Sequence, residues 1–396
     1  MPGWHDATTK LRDSGRLAMA GVVLEQHPER ARLFMQWKQM DWPVMWDPFN
    51  VMELPVVPLS VLVGPDGQVE LIRPKLEKLE EIESEFLTKG SSPTGQIPTR
   101  PVVSSPGSRA SASDWSAYAV HLATWEHESR LDEAVAAAER ATSESEESVS
   151  WFRAGVVRRM RYDSKLRRPF DFGAAVEAWT KALELDPNNY IWRRRLQQYG
   201  PRLAKPYPFY DWVPRAKTDI SSRNEEPVPL GVEPSGAEFA RPAVEVSESG
   251  DGTEPDPAGR IAVDKDELVG VEAICIPALG RPGDSIRTHI VFDPDPARDA
   301  HWNNEAGFSE VWFDPPDGWT ISERHHRMEP GVGPVSDETR HIELEVGIPG
   351  TSVDGTYELT GYALYYVCEG AAGACVYRRR PINVTVSVAA SSQALG

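Results

Sequence analysis

Cysteine is scarce in this 396-residue chain: Cys275, Cys368 and Cys375 are the only three, and none stands before Cys275. So small a number excludes a disulfide-built scaffold. A long thiol-free stretch also excludes dithiol exchange there, because that chemistry needs a nucleophilic thiolate and a resolving partner. Basic charge is in short supply as well. Lys and Arg total 42 against 60 Asp and Glu, a formal net charge of -18. Such a field repels phosphate backbones and anionic headgroups, so no nucleic acid or membrane surface is expected as a partner. No run reaches the ~18 apolar residues of a membrane-spanning helix, and no membrane insertion is expected. The N-terminus MPGWHDATTKLRDSG lacks the basic-then-apolar layout of a signal peptide. As it stands it implies a cytoplasmic chain; a longer natural N-terminus with an export signal would imply an extracytoplasmic one, periplasmic or exported. GxSxG, P-loop, GxGxxG helix-entry and HExxH spacings are absent, so hydrolase and nucleotide-dependent chemistry have no residues to carry them and no cofactor is expected.

What is present divides into segments, and the length suggests three domains. In the segment 1–90, AGVVLEQ (20–26) reads as a strand covered on both faces. PERARLFMQWKQM (28–40) reads as a helix with Ala31, Phe34, Met35 and Lys38 on one stripe. PVMWDP (43–48) and PLSVLVGPDGQVELI (58–72) follow, the latter split by the turn signal Pro65-Asp66-Gly67. Residues 91–113 form a Ser/Pro-rich linker and 216–260 an acidic one. Between them lies a helical block, 114–215, and after them short alternating strands such as HIELEVGI (341–348) and INVTVSV (382–388), which predict a β-sandwich over 261–390.

Tyr118, Leu122, Trp125, Ala134, Ala138 and Ala141, and again Trp151, Ala154, Gly155, Ala175, Trp179, Ala182 and Pro187, occupy the spacings of tetratricopeptide helix pairs. The block resembles that repeat, and the resemblance implies a surface for a protein partner. An ordinary helical hairpin is the plainer reading.

The strand-helix-strand-hairpin order of 1–90, with PLSVLVGPDGQV and Pro58 before the hairpin, resembles thioredoxin-like redoxins of the TlpA type. The resemblance implies a cis Val57–Pro58 bond. In that family a CxxC pair precedes a helix with an early Met-Pro or Leu-Pro; this chain opens Met1-Pro2-Gly3-Trp4 with no CxxC. The domain is therefore expected to be partial and inactive, and the natural protein longer.

YALYYVCEGAAGACVYRRRPINVTVSV (362–388) carries two apolar, aromatic runs around Gly370-Ala371-Ala372-Gly373, a four-residue loop that sets Glu369 against Ala374 and Cys368 against Cys375. Directly opposed residues of an antiparallel ladder have Cα atoms ~4.5–5.5 Å apart, within reach of a disulfide. A static cross-strand bond, two buried thiols and a redox pair all fit. A bond closing so short a loop stabilises by ~2–3 kcal/mol in the chain-entropy model. The stretch resembles the immunoglobulin-like N-terminal domain of the DsbD thiol:disulfide interchange proteins, at Tyr365, Tyr366, Cys368, Cys375 and Tyr377. That resemblance implies that Cys368 and Cys375 are a catalytic redox pair acting on protein thiols or disulfides. The rival expectation is a non-catalytic interaction scaffold with a vestigial thioredoxin-like part.

The remaining signals are weaker. Arg378, Arg379 and Arg380 either lower a nearby thiolate pKa or form solvated surface, and Cys275 reads as a small buried apolar residue. His325-His326 point to opposite strand faces, and His301 to Glu305 has metal spacing only on a helix, so no metal is expected. His301 is placed in a sandwich loop near the cysteine hairpin. Tyr207, Phe209, Tyr210 and Trp212 read as a strap over the helices or a groove lining. The fold class is thus multidomain: α/β thioredoxin-like, α-helical tetratricopeptide-like and all-β immunoglobulin-like.

Overall fold

The computed structural model describes residues 2–54, 57–86, 103–201, 212–232, 253–370 and 375–389. The chain forms two compact units. Unit 1 comprises Met1–Val157, Asn188–Arg193 and Asp211–Glu233; unit 2 comprises Arg158–Pro187, Arg194–Tyr210 and Pro234–Gly396. Helices and several β-sheets are both present, so the protein is a mixed α and β, multidomain one.

Unit 1 begins with α1 (Pro2–Asp13), β1 (Gly21–Val23), α2 (Glu29–Trp37) and β2 (Val44–Trp46). β1 and β2 are parallel, with Val22 opposite Met45 and α2 as their crossover. Next come β3 (Val61–Val63) and β4 (Val69–Ile72), an antiparallel hairpin turned at Gly67, whose φ of +82° suits a residue without Cβ. Each pair forms a separate two-stranded sheet. The Val57–Pro58 bond is cis.

Two expectations for this region are corrected. β1 is not covered on both faces: Val22 is exposed, as are Val44, Met45, Val61, Val63, Val69 and Ile72, because among the described residues neither two-stranded sheet has a further strand beside it to help bury them. The buried stripe of α2 is Arg30 and Leu33, not Ala31, Phe34, Met35 and Lys38. Arg30 is drawn inward by Glu25 at 3.0 Å, while Phe34 and Trp37 meet Trp212 edge-on and stacked, with centroids 5.2 and 5.8 Å away.

α3 (Leu79–Phe86) closes this stretch, and the helical run follows: α4 (Ala112–Trp125), α5 (His127–Glu144), α6 (Ser148–Tyr162), α7 (Asp171–Leu185), α8 (Tyr190–Gln197) and α9 (Trp212–Ser222). α9 therefore runs into the stretch expected to be acidic linker. α4 starts in a capping box: Ser111 accepts from the Asp114 amide, and the Asp114 carboxylate accepts from the Ser111 amide. Tyr118, Leu122, Ala134, Ala138 and Ala141 are buried as their spacing predicts, but Trp125 is 51% exposed. Tyr207, Phe209 and Tyr210 lie outside the described residues; Trp212 stacks on Trp37.

Unit 2 carries α7 and the strands β5 (Val269–Ile276), β6 (Leu279–Gly280), β7 (Ser285–Pro294), β8 (Ala300–Asn303), β9 (Ser309–Asp314), β10 (Thr320–Ile321), β11 (His325–Met328), β12 (Val335–Ser336), β13 (Arg340–Gly347), β14 (Gly355–Glu369) and β15 (Cys375–Val388). One sheet runs β10-β13-β7-β5 and the other β11-β9-β14-β15-β6, with β8 joining β14 and β12. Alternate residues of both sheets enter one apolar core, among them Ile290, Phe292, Leu344, Val311, Phe313, Ala363 and Val384. The packing leaves no slack at Gly361, where a Cβ would run into the Trp312 carbonyl oxygen and the Phe313 ring. The other face of β5 and β7 is also covered. Gly173 of α7 lies against Glu272 and Ile274, and Gly200 against Ile276.

Candidate functional site: a disulfide on the outer face of a hairpin

β14 and β15 pair over fourteen positions, and the register places Cys368 opposite Cys375 and Tyr366 opposite Tyr377. The alternation of β14 sends Leu359, Ala363, Tyr365 and Val367 into the core, so Tyr366 and Cys368 belong to the opposite, outer face. There the two cysteines form a disulfide, with Cα atoms 4.0 Å apart. Their environments differ. Cys368 is 2% exposed, whereas Cys375 is exposed. The loop residues 371–374, and with them the expected Glu369 to Ala374 pairing, lie outside the described residues.

Three neighbours define the surroundings of the bond. Tyr366 and Tyr377 stack with ring centroids 4.4 Å apart, on the same face and one pleat further along the hairpin. Burial, with the Glu310 charge, pushes the Tyr377 hydroxyl up to about 12. On the other side of β14, β8 pairs antiparallel and sets His301 directly opposite Cys368. The His301 Nδ1 stands 3.0 Å from the Asp299 carbonyl oxygen, which can only accept, so Nδ1 carries the proton. At the hairpin mouth Arg298 donates to Glu369 at 2.8 Å, and the Gly370 amide donates to the Asp299 carbonyl at 3.1 Å.

The arginine run is not free positive charge beside the sulfurs. Arg379 donates to the Asp256 carboxylate at 2.7 Å and covers the Tyr362 ring, and Arg380 pairs with Glu267 at 3.1 Å. Burial would raise Asp256, but Arg379 and the amides of Arg260 and Ile261 outweigh it and hold the carboxyl below its ordinary value. Arg378 donates to the Tyr377 carbonyl. Beneath them the Tyr365 hydroxyl donates to Asp264 at 2.8 Å, and burial followed by that carboxylate raises its pKa. Cys275 packs against the core beside Thr288, with its thiol pushed up by burial.

His325 and His326 face opposite sides of β11: the first bonds Glu310 and lies near Trp312, the second lies near Phe313. His301 and Glu305 are not on one helix turn; the first is in β8 and the second in a short 3-10 turn. Among the described residues no group of three or more His, Cys, Asp or Glu is placed to hold a metal ion. Among the described residues, too, no helix is long and apolar enough to cross a membrane.

A second polar cluster escaped the sequence reading. On the covered face of β7 and β13, Arg287 donates to Glu343 at 2.9 Å and to Glu345 at 2.7 Å. His289 stands between Glu343, at 3.2 Å, and the Tyr199 carbonyl, at 2.7 Å. Partial burial would raise Glu343, but His289 and Arg287 hold it down to about 2. Nearby, burial drives Glu272 up to about 7 even though the amides of Gly173 and Phe170 favour its anion. The alternation Arg287, His289 and Glu343, Glu345 was visible, but it is also what a solvated sheet face looks like.

No protein-family model matches the chain, and no curated protein matches it in sequence. Among solved structures, a protein of unknown function from Porphyromonas gingivalis is similar at 14% identity over 33% of this chain and 51% of its own, with a TM-score of 0.20. AvmM, which catalyses macrocyclization in alchivemycin A biosynthesis, is similar at 10% identity over 33% of this chain and 93% of its own, with a TM-score of 0.19. The sporulation control protein Spo0M from Bacillus subtilis is similar at 10% identity over 31% and 50%, with a TM-score of 0.15. The chain thus spans about half the length of the first and third of these. At such scores the likenesses bear on neither fold nor function.

Proposed function

We propose that the protein is a thiol-disulfide redox protein whose exchange is carried by Cys368 and Cys375. The observation that supports this reading is the placement of the disulfide on the outer face of the hairpin, with one sulfur-bearing residue open and the other enclosed. The two strands are already paired over fourteen positions, so the bond is not needed to set their register.

In the exchange, a partner thiolate attacks Sγ of the exposed Cys375; a new S–S bond forms and the Cys368–Cys375 bond breaks, releasing Cys368 as thiolate. The partner's second thiol then attacks the mixed disulfide, so the partner leaves oxidised by two electrons and this protein keeps both thiols, with a proton taken up for each. The reverse sequence oxidises the pair. Neither direction needs a metal or organic cofactor. The partners are protein thiols or disulfides, and the sandwich is read as DsbD-like and immunoglobulin-like. Unit 1 is read as a partial thioredoxin-like domain without CxxC, and its helices as a tetratricopeptide-like surface for a protein partner. Extracytoplasmic residence goes with this chemistry.

The test is a redox titration in graded glutathione buffers, following alkylation of the peptides that contain Cys368 and Cys375. A reversible midpoint between about -180 and -270 mV, the range of exchange catalysts, is expected. A pair still oxidised below about -300 mV would make it structural. The scaffold reading would then lead, supported by the exposed apolar side chains on β1 to β4.

A further inference from the structure

We propose that His301 is a catalytic acid-base residue of the cysteine pair, giving and taking the proton of Cys368. This inference rests on the exchange reading and adds a residue to the same site. Cys375, Cys368 and His301 occupy one row across the adjacent strands β15, β14 and β8, because Cys368 is in register with both of the others. Directly opposed side chains share a face and have Cβ atoms ~4.5–5.5 Å apart, within reach of an imidazole. Nδ1 is committed to the Asp299 carbonyl, which fixes the tautomer and leaves Nε2 as the nitrogen free to exchange a proton. His301 is itself half-buried and borders the enclosed cysteine.

Enclosure makes this proton matter. When a thiolate attacks Cys375, the departing electron pair falls on Cys368, where little water reaches the new charge. An imidazolium at position 301 donates from Nε2 and passes its proton to that sulfur, ending as neutral imidazole beside a neutral thiol. In the oxidising direction neutral Nε2 takes the proton back as Cys368 attacks. Of the charged groups on the flanking strands, Glu369 of β14 pairs with Arg298, and Asp337, which follows Ser336 of β12 opposite Trp302, is exposed to solvent. Tyr366 and Tyr377 supply a stacked aromatic surface on the same face.

The test is the rate at which dithiothreitol opens the disulfide of the full chain between pH 5.5 and 8.5, divided by the concentration of dithiothreitol thiolate and read by quenched alkylation. With His301 as acid, the normalised wild-type rate falls as pH rises and the imidazolium is lost. His301→Gln should be slower by about a hundredfold at pH 6, the lower end of general-acid effects, with a flat profile. His301→Lys, which keeps a cation throughout, should restore the low-pH rate and hold it across the range. A flat normalised profile in the wild type, or a His301→Gln profile that superimposes on a falling wild-type one, overturns the proposal while leaving exchange intact. A wild-type disulfide that dithiothreitol does not open overturns both.

Discussion

β4 in unit 1 and β7 in unit 2 are both strands rich in apolar residues, yet their surroundings could hardly differ more. Every side chain of β4 is exposed or half-exposed, with Ile72 at 68%, whereas eight of the ten residues of β7 are buried. The distinction does not come from the strands themselves. β7 has a strand on each side, a second sheet on one face and helical chain on the other; among the described residues β4 pairs with β3 alone. Burial is conferred by the layers that neighbours supply, and a strand without them keeps its sequence pattern and loses its energetic weight.

The contrast can be broken or sharpened by substitution. The largest effect is expected for Phe292→Ala, which empties a fully buried site in the unit 2 core and should cost ~3–5 kcal/mol in urea unfolding. Ile72→Ala should cost under ~0.5 kcal/mol; equal costs would show that β4 is buried in solution after all. Removing the disulfide by a double Cys368→Ala, Cys375→Ala change should destabilise unit 2 by ~2–3 kcal/mol. Gly361→Ala forces a methyl onto the Trp312 carbonyl and should cost ~1–3 kcal/mol, with no counterpart at the exposed Gly67 turn tip beyond backbone strain.

A gentler effect concerns pH. Glu272 is raised in the folded state to about 7, so its contribution is fully present below its unfolded pKa near ~4.3 and is lost as pH rises through 7. Glu272→Gln should flatten that slope in denaturation midpoints measured from pH 4.5 to 8. An unchanged slope would mean that the carboxylate is solvated and the covered face of β5 is open.

The sequence exposed some of this more readily than the rest. Period-two alternation located β13 and β15, and the flanking aromatic runs placed Cys368 opposite Cys375 before any coordinates, because hairpin register is a local property. The apolar run at β1 misled, since a run of valines looks the same whether one layer or two will cover it. The row that adds His301 to the cysteines depends on β8 meeting β14 across more than sixty residues of sequence, a distance over which pattern carries no register. The charges at Arg287, His289 and Glu343 gave no signal at all, because their alternation does not tell a solvated face from one that residues near Tyr199 cover.

That cover separates the unit of resemblance from the unit of folding. The alternating strand pattern begins near residue 261, but the face of β5 and β7 is completed by unit 2 chain around Gly173 and Gly200, drawn from a helical run that on pattern alone belongs to something else. A piece cut at 261 would turn Ile274, Ile276 and the His289 clasp toward water. The outer wall of the sheet therefore lies more than sixty residues upstream of it in the sequence, and a domain boundary drawn from strand pattern alone would separate the two.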